Sequence, residues 1–343
     1  MSLNKKKIVK IAIIGSGRMG QRHAEAYKKI KNVEIVGFND SIRKNASRLA
    51  KKFNTKALTI DEILLDNSID AVNICTPNAD HAKISIKMLK DGKHVLVEKP
   101  MAIKIKDCDK MIEIAKKNKL NLMIGQTYRF YPSSIIAKKI INDKKIGKIK
   151  LAQIHGIDPG FIKGQSKMPK WFGERKSGGG LIFDMIHMVD LLTNWFESDI
   201  CEVYVPLIDK INKKVNSDQI SLINLKFENG IAVSIMGIAP SWGIRDSEIK
   251  LIGEKGILSV SYGIEVKVGK KSWKTYEFPF KAKNPTYEHN LQGFVNELSE
   301  FISSIRENRN PIVTGEEGRK NLLVVLSMYE SYKKNKLIKI KNK

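Results

Sequence analysis

The first residues with recognisable chemistry form a glycine motif near the N-terminus, Gly15-Ser16-Gly17-Arg18-Met19-Gly20. This spacing suits a loop that binds the pyrophosphate of a dinucleotide, because it combines a tight turn with close backbone approach and close helix packing. We expect Gly15 to make the turn, Gly17 to admit the pyrophosphate and Gly20 to pack the helix on the strand. The free N–H groups at the start of that helix would then face the phosphates.

An acidic residue, Asp40, ends the second apolar run, 20 residues beyond Gly20. A carboxylate at this position accepts hydrogen bonds from ribose hydroxyls and repels a 2′-phosphate, which favours NAD over NADP. Ser41, Arg43 and Lys44 follow at once and could receive a 2′-phosphate instead. Both cofactors therefore stay in consideration, with NAD preferred.

Strand and helix patterns must position these residues, and they alternate through the first third of the chain. The strands are predicted over 7–14, 33–39, 70–75, 94–97 and 121–124, and the helices over 18–30, 43–53, 81–91 and 106–119. This alternation predicts an α/β fold with a doubly wound parallel sheet. We assign residues 1–125 to a dinucleotide-binding Rossmann domain.

The pattern changes past residue 125. Helices are predicted over 134–143, 181–195, 287–307 and 316–333, and strand-like runs lie between 148 and 280. Turn signals such as Glu228-Asn229-Gly230 and Gly253-Glu254-Lys255-Gly256 separate those runs, as in an antiparallel sheet. Residues 126–343 are therefore predicted to form a second α/β domain with a large, mostly antiparallel open sheet.

Composition narrows the function classes. The formal net charge is +25, but the basic residues are mostly scattered lysines, so no specific nucleic-acid partner is expected. No apolar run is long enough to cross a membrane. The three cysteines lack disulfide or zinc spacing and no HExxH occurs, so we expect a cytoplasmic protein without a metal.

Further motifs follow the glycine loop in the chain. They are Thr76-Pro77-Asn78 with His81, Glu98-Lys99-Pro100, Tyr128-Arg129-Phe130 with Pro132, Gly178-Gly179-Gly180 with Asp184 and His187, and Thr314-Gly315-Glu316-Glu317-Gly318. In this order the motifs resemble the Gfo/Idh/MocA family of glucose–fructose oxidoreductases and inositol dehydrogenases, over nearly the whole chain. The resemblance implies an NAD(P)-dependent oxidoreductase that moves a hydride to or from a secondary alcohol of a sugar, an inositol or other polyol, or a nucleotide sugar.

The resemblance also implies the catalytic residues, in a cleft between the two domains. Lys99 would reach the reacting alcohol from the Rossmann side, and Asp184 and His187 would face it from a helix of the second domain. An imidazole can take the hydroxyl proton near neutral pH, and a lysine ammonium can stabilise the developing alkoxide. Asp184 could orient the imidazole or bind a neighbouring hydroxyl.

The spacing of Asp184 and His187 departs from the usual pattern, because the histidine follows the aspartate by three positions, where in most members of the family it follows by four. On a regular helix this changes the bearing between the two side chains from about +40° to about −60°. Asp190, three residues further on, is an alternative partner for the imidazole.

The remaining candidates divide into cofactor and substrate contacts. Cofactor contacts are expected from Gly15, Ser16, Gly17, Arg18, Met19, Gly20, Asp40, Ser41, Arg43, Thr76, Pro77, Asn78, His81, Glu98, Lys99 and Gln126. Candidate substrate contacts are Arg129, His155, Trp171 and Tyr287, and a Trp could stack on a sugar face. His23 is expected to pack near the cofactor, and His289 could reach the cleft.

We also expect an oligomer, and two alternative functions stay open. The resemblance implies a homodimer or homotetramer formed through the C-terminal sheet. One alternative is a non-catalytic, dinucleotide-binding regulator, although such a protein would not need Lys99 and His187. The other is a dihydrodiol- or imine-type oxidoreductase with the same fold.

Overall fold

The computed structural model describes residues 8–157, 170–239, 246–261, 265–276 and 285–341. The chain divides into two compact units, of which the first comprises Met1–Thr127 and Asn290–Leu322 and the second Tyr128–His289 and Leu323–Lys343. The sequence-based division at residue 125 assigned Asn290–Leu322 to the second domain, because periodicity alone does not show which sheet a late helix covers.

The first unit alternates strands and helices. Its elements are β1 (Val9–Ile14), α1 (Arg18–Tyr27), β2 (Val33–Asn39), α2 (Arg43–Phe53), β3 (Lys56–Ala57), α3 (Ile60–Leu65), β4 (Ala71–Ile74), α4 (His81–Lys90), β5 (His94–Glu98), α5 (Ile105–Lys117) and β6 (Leu122–Gly125). A 3₁₀ turn, Asn78–Asp80, precedes α4, and a second 3₁₀ turn, Thr127–Phe130, follows β6 where the chain enters the second unit. The short elements β3 and α3 were not predicted, since two and six residues are too few to show a period.

The six strands form one sheet in the order β3-β2-β1-β4-β5-β6, and every pair is parallel. This is the strand order of dinucleotide-binding folds, in which ligands bind beyond the carboxyl ends of the strands where the order reverses. Residues Ile11–Ile14 are at most 1% exposed, as a central parallel strand requires. The predicted doubly wound parallel sheet is confirmed, and the candidate residues after β1, β2, β4, β5 and β6 share one edge.

The second unit contains the other sheet and its helices. Its elements are α6 (Pro132–Asn142), β7 (Ile149–Ile157), α7 (Leu181–Asp184), α8 (Ile186–Phe196), β8 (Ile200–Asp209), β9 (Ile220–Phe227), β10 (Ala232–Ile238), β11 (Asp246–Gly253), β12 (Gly256–Ser261), β13 (Glu265–Gly269) and β14 (Trp273–Tyr276). The chain continues through α9 (Pro285–Arg306), α10 (Gly315–Lys334) and β15 (Ile338–Lys339).

The nine strands of this sheet have the order β14-β13-β12-β11-β7-β10-β9-β8-β15. The β7–β10 pair is parallel and the others are antiparallel, which confirms the predicted mostly antiparallel sheet. Helix α7 packs on one face, where a Cβ built on Gly237 of β10 would lie 2.9 Å from the Leu181 side chain.

The motif Thr314-Gly315-Glu316-Glu317-Gly318 begins helix α10 and has a structural explanation. The Thr314 N–H donates to Glu317 Oε2 at 2.9 Å, and the Glu317 N–H donates to Thr314 Oγ1 at 3.3 Å, as in a capping box. A Cβ on Gly318 would lie 2.7 Å from the Ile124 side chain, so this helix start needs small residues against β6. Among the described helices, none has the length and hydrophobicity needed to cross a membrane.

Candidate active site

The three glycines of the first loop have the geometry that a phosphate-binding turn needs. Gly15 has φ +98°, and a Cβ there would lie 2.5 Å from the Cys75 carbonyl group. A Cβ on Gly20 would lie 2.0 Å from the Gly15 oxygen, which explains the close contact between helix and strand. A Cβ on Gly17 would meet nothing within 4 Å, so the backbone is open to a ligand at the helix start. This loop therefore fits the pyrophosphate of a dinucleotide.

Asp40 lies at the end of β2 and supports the same loop. Its Oδ2 accepts the Ser16 N–H at 2.8 Å, and its Oδ1 accepts the Ile42 N–H at 2.8 Å. Ser41 and Arg43 are exposed beside it. Sequence reasoning missed Arg48 of α2, whose guanidinium donates to the Ser16 carbonyl at 3.2 Å. Local spacing carries no signal for this contact, which depends on how α2 packs beside α1.

Two further turns at this edge carry Thr76 and Lys99, and His81 joins them. The His81 ring nitrogens lie 2.7 Å from the Pro100 oxygen and 2.8 Å from the Thr76 oxygen. Burial lowers the pKa of His81, against the raising effect of these carbonyl groups. The ring is fully buried, so these contacts make His81 a brace between the two turns. Gln126, which follows β6, is also fully buried at this edge.

In the second unit, His187 near the start of α8 has an aromatic partner. The Tyr128 ring lies parallel to the imidazole, with ring centroids 4.2 Å apart and an interplanar angle of 3°. Tyr131 packs against Tyr128 at 5.1 Å, and His289 packs against Tyr131 at 5.3 Å. The His289 Nε2 accepts the Ser133 N–H at 3.2 Å. The Tyr128-Arg129-Phe130 motif was the available signal, although sequence alone did not connect it with His187.

Arg129 and Asp190 form an ion pair that the sequence did not predict. The Arg129 Nε and Nη2 atoms donate to the two Asp190 carboxylate oxygens at 2.5 and 2.7 Å. Both side chains are buried. Asp190 was considered as a partner for the imidazole and Arg129 as a substrate contact; both stay predictions, to which the structure adds a direct contact between the two side chains. Their pairing fixes the 3₁₀ turn that carries Tyr128 against α8.

The triple glycine allows α7 to start against an acidic side chain. A Cβ on Gly179 would lie 2.3 Å from the Phe172 oxygen, and Gly180 has φ +108°. A Cβ on Gly180 would lie 2.7 Å from Asp218 Oδ1. The buried Asp218 carboxylate accepts the Ile182 N–H at 2.6 Å and the Tyr329 hydroxyl at 2.6 Å. Asp218 therefore anchors the helix start, a role that its position before β9 did not suggest.

Asp184 and His187 do not lie on one regular helix. Helix α7 ends at Asp184, Met185 forms a turn, and α8 begins at Ile186. The predicted single helix over 181–195 is therefore divided at Met185, whose backbone is nevertheless helical (φ −60°, ψ −11°) and whose N–H donates to the Leu181 carbonyl at 2.9 Å.

The other substrate candidates are scattered over the second unit. Trp171 is half-buried and packs edge-on against Phe172 at 5.7 Å, and Tyr287 is exposed. His155 pairs in the sheet with Met236, on the face opposite α7, and its Nε2 lies 3.0 Å from Asp246 Oδ1. The structure therefore does not bring His155 together with His187. Among the described residues, no cluster of His, Cys, Asp and Glu side chains could hold a metal ion.

Comparison with known proteins identifies both domains. Residues 9–126 match the model of an oxidoreductase family with an NAD-binding Rossmann fold, and residues 138–340 match the model of that family's C-terminal α/β domain. Myo-inositol 2-dehydrogenase of Thermotoga maritima is 26% identical over 97% of this chain and 98% of its own. scyllo-Inositol 2-dehydrogenase (NAD(+)) of Bacillus subtilis is 26% identical over 95% of this chain and 94% of its own.

Solved structures confirm the fold. The scyllo-inositol dehydrogenase of Lactobacillus casei, solved with NAD(H) and scyllo-inositol, superposes with a TM-score of 0.81 and is 24% identical, over 97% of this chain and 99% of that one. The family models together span most of the sequence, from the strand before the glycine loop to the last described strand. The chain belongs to the Gfo/Idh/MocA family of oxidoreductases.

Proposed function

We propose that this chain is an NAD-dependent dehydrogenase that oxidises a secondary alcohol of an inositol, another polyol, a sugar or a nucleotide sugar. The observation that carries the proposal is the stacked pair of Tyr128 and His187, because it holds an imidazole in one orientation at the start of α8. Relatives that match nearly the whole chain carry the names of inositol dehydrogenases.

The proposed chemistry needs a proton acceptor and a group that stabilises an alkoxide. A bound nicotinamide would accept the hydride. His187 would take the hydroxyl proton, since imidazoles exchange protons near neutral pH. Lys99 would donate a hydrogen bond to the reacting oxygen. Asp184 would bind a neighbouring hydroxyl of the ring or orient the imidazole.

The preference for NAD over NADP is part of the proposal. Asp40 places its carboxylate at the end of β2 and against Ser16 of the glycine loop, where a 2′-phosphate would meet a negative charge. Fluorescence titration with NADH and NADPH tests this preference, and tighter binding of NADPH would contradict it. Asp40→Asn, which keeps an oxygen acceptor and removes the charge, should reduce the difference between the dissociation constants of NADH and NADPH.

We also propose a homo-oligomer formed through the C-terminal sheet. Leu207, Leu222 and Met236 lie in register across β8, β9 and β10. Leu207 and Met236 are each 41% exposed, so this row presents apolar surface on the face opposite α7. Sedimentation of wild type and Met236→Lys tests this assembly, since a buried lysine at the interface should dissociate it.

We also propose a cytoplasmic location, because all three cysteines are free thiols.

A substrate panel tests the proposed activity. Purified protein is mixed with NAD and a set of inositols, aldoses, polyols and nucleotide sugars, and NADH absorbance is followed. We expect turnover with at least one ring polyol, and we expect Lys99→Ala and His187→Ala each to abolish it while NADH binding stays nearly intact. Tight NADH binding without turnover on any member of the panel would contradict the proposal and favour a dinucleotide-binding regulator.

A further inference from the structure

A buried polar cluster lies beneath the turn that carries Lys99, and its centre is His23 of helix α1. The His23 ring is fully buried and contacts one residue of β4 and one of β5. Its Nδ1 lies 2.8 Å from Asn73 Oδ1, and its Nε2 lies 2.9 Å from Glu98 Oε1. The Phe294 ring of α9 covers it at a centroid distance of 5.2 Å. The sequence suggested only a packing role for this histidine.

The hydrogen bonds indicate the charge on the ring. The Asn73 amide nitrogen donates to Cys75 Sγ at 3.4 Å, which leaves its oxygen to face His23. When Glu98 is ionised, its carboxylate and the Asn73 amide oxygen both accept, so each ring nitrogen donates and the imidazole is positively charged. Burial opposes this charge, but Cys75 and Glu98 raise the pKa of His23 well above its ordinary value. Burial also raises the pKa of the Cys75 thiol, so at neutral pH the negative partner is Glu98.

Glu98 also contacts the next residue of the chain, Lys99. Its second oxygen, Oε2, accepts the backbone N–H of Lys99 at 3.2 Å. A Cβ on Gly125 of β6 would lie 3.4 Å from the Glu98 Cδ, so the carboxylate lies close to the neighbouring strand. One carboxylate thus joins helix α1, which begins at the glycine loop, to the peptide group of Lys99.

We propose that His23 is a positioning residue for Lys99: it holds the Glu98 carboxylate, which in turn holds the Lys99 peptide in the orientation that the reaction needs. Stability alone does not explain the pair, because replacing a buried ion pair by apolar residues of similar volume is often neutral or stabilising. The inference rests on the proposed function only for the role of Lys99; the His23–Glu98–Lys99 contact stands by itself.

Several titratable groups surround the His23 ring and can change its pKa. The titratable groups that face the cluster are Glu98 and Cys75, with Tyr27 of α1, Glu297 of α9 and His81 of α4 around them. Tyr27 lies one helical turn beyond His23, is 1% exposed, and has no hydrogen-bond partner for its hydroxyl among the described residues. Tyr27→Phe is therefore a matched control, because it alters a buried polar group of α1 without touching Glu98.

Two substitutions separate positioning from packing. In His23→Gln the amide nitrogen can still donate to Glu98, whereas in His23→Asn the shorter side chain can reach only Asn73. We expect kcat to fall about tenfold or more in His23→Asn, and to stay within about threefold of wild type in His23→Gln and Tyr27→Phe. The NADH dissociation constant should change less than about threefold in all three variants, since a positioning defect acts on kcat.

A direct readout does not depend on turnover. The chain contains two Glu–Lys peptide bonds, Glu98–Lys99 and Glu254–Lys255. Labelling with carbonyl-¹³C glutamate and ¹⁵N lysine therefore gives two amide signals, of which the second is an internal reference. We expect His23→Asn to move the Lys99 signal and leave the Lys255 signal unchanged, whereas Tyr27→Phe should move neither. With ¹⁵N histidine, both His23 nitrogens of the wild type should stay protonated through pH 7.

The outcomes are distinguishable. If wild type turns over no polyol, the proposed function fails, and the two amide signals still test the contact. Normal kcat in folded His23→Asn would overturn the inference. So would equal losses in His23→Asn and His23→Gln, or a neutral His23 ring at pH 7.

Discussion

The guanidinium group of Arg129 is held by both carboxylate oxygens of Asp190, and this pair determines where Tyr128 lies. Asp190 is one turn along α8 from His187, and Arg129 directly follows Tyr128 in the chain. The ion pair and the ring stack therefore join the same two elements at adjacent positions. The imidazole is held from a turn outside its own helix.

Asp190→Asn tests the ion pair. Removing one charge breaks a buried ion pair, which costs about 3–5 kcal/mol of the free energy of unfolding. Urea unfolding followed by circular dichroism measures this loss. The double variant Arg129→Met/Asp190→Leu should be more stable than Asp190→Asn, because it leaves no unpaired charge. Glu254→Gln, at the exposed pair with Lys150, is the control and should leave the transition unchanged. A normal transition for Asp190→Asn would contradict the prediction.

Substitution of Tyr128 tests the ring stack. Tyr128→Phe keeps a flat ring against His187, so kcat should stay within about threefold of wild type. Tyr128→Leu removes the stack and allows the imidazole to turn, and kcat should fall about tenfold or more. Steady-state kinetics across pH is the measurement, because a misplaced base changes the pH profile of kcat as well as its height. Tyr332→Leu, at an exposed tyrosine, is the control. Equal activity of the Leu and Phe variants at residue 128 would rule out the role of the stack.

Sequence reasoning succeeded where the chemistry is local. The glycine spacing predicted the turn, the open backbone and the close helix contact, and all three appear at Gly15, Gly17 and Gly20. The apolar runs predicted β2 and α2 with their observed bounds. Each of these features depends on residues that are near one another in the chain, so composition and period were sufficient.

Sequence reasoning failed where a contact joins distant segments. Asp218 anchors α7 although 36 residues separate it from Ile182, and His23 meets Glu98 across 75 residues. Neither Pro nor Gly stands next to Met185, so no residue type predicted that helices α7 and α8 are divided there. These contacts depend on how helices and strands pack, which periodicity does not determine.

The glycines of the cofactor loop allow a test that separates folding from binding. In Gly17→Ala the new methyl group meets no protein atom within 4 Å, so the melting temperature should stay near that of wild type. The methyl group would instead occupy space that the pyrophosphate needs, and NADH affinity should fall about tenfold or more. In Gly20→Ala the methyl group would lie 2.0 Å from the Gly15 oxygen, so the protein itself should be destabilised. Thermal melting with and without NADH measures both effects. Unchanged NADH affinity in folded Gly17→Ala would contradict the loop assignment.

The pH dependence of stability tests the charge on His23. The pKa of His23 is raised in the folded protein, so above the ordinary pKa of about 6.5 the folded state holds a proton that the unfolded chain releases. Its contribution is therefore complete below about pH 6.5 and is lost as pH rises towards the folded-state pKa. Within that window the difference in unfolding free energy between wild type and His23→Gln should fall by up to about 1.4 kcal/mol per pH unit. Urea titrations from pH 6 to pH 9, at intervals of about half a unit, give this slope by difference, which cancels the other titrating groups. The difference between Glu98→Gln and the double variant His23→Gln/Glu98→Gln should fall less steeply with pH, since the ring has then lost the carboxylate that holds its proton. A difference that stays constant or grows with pH would mean that the buried ring is neutral.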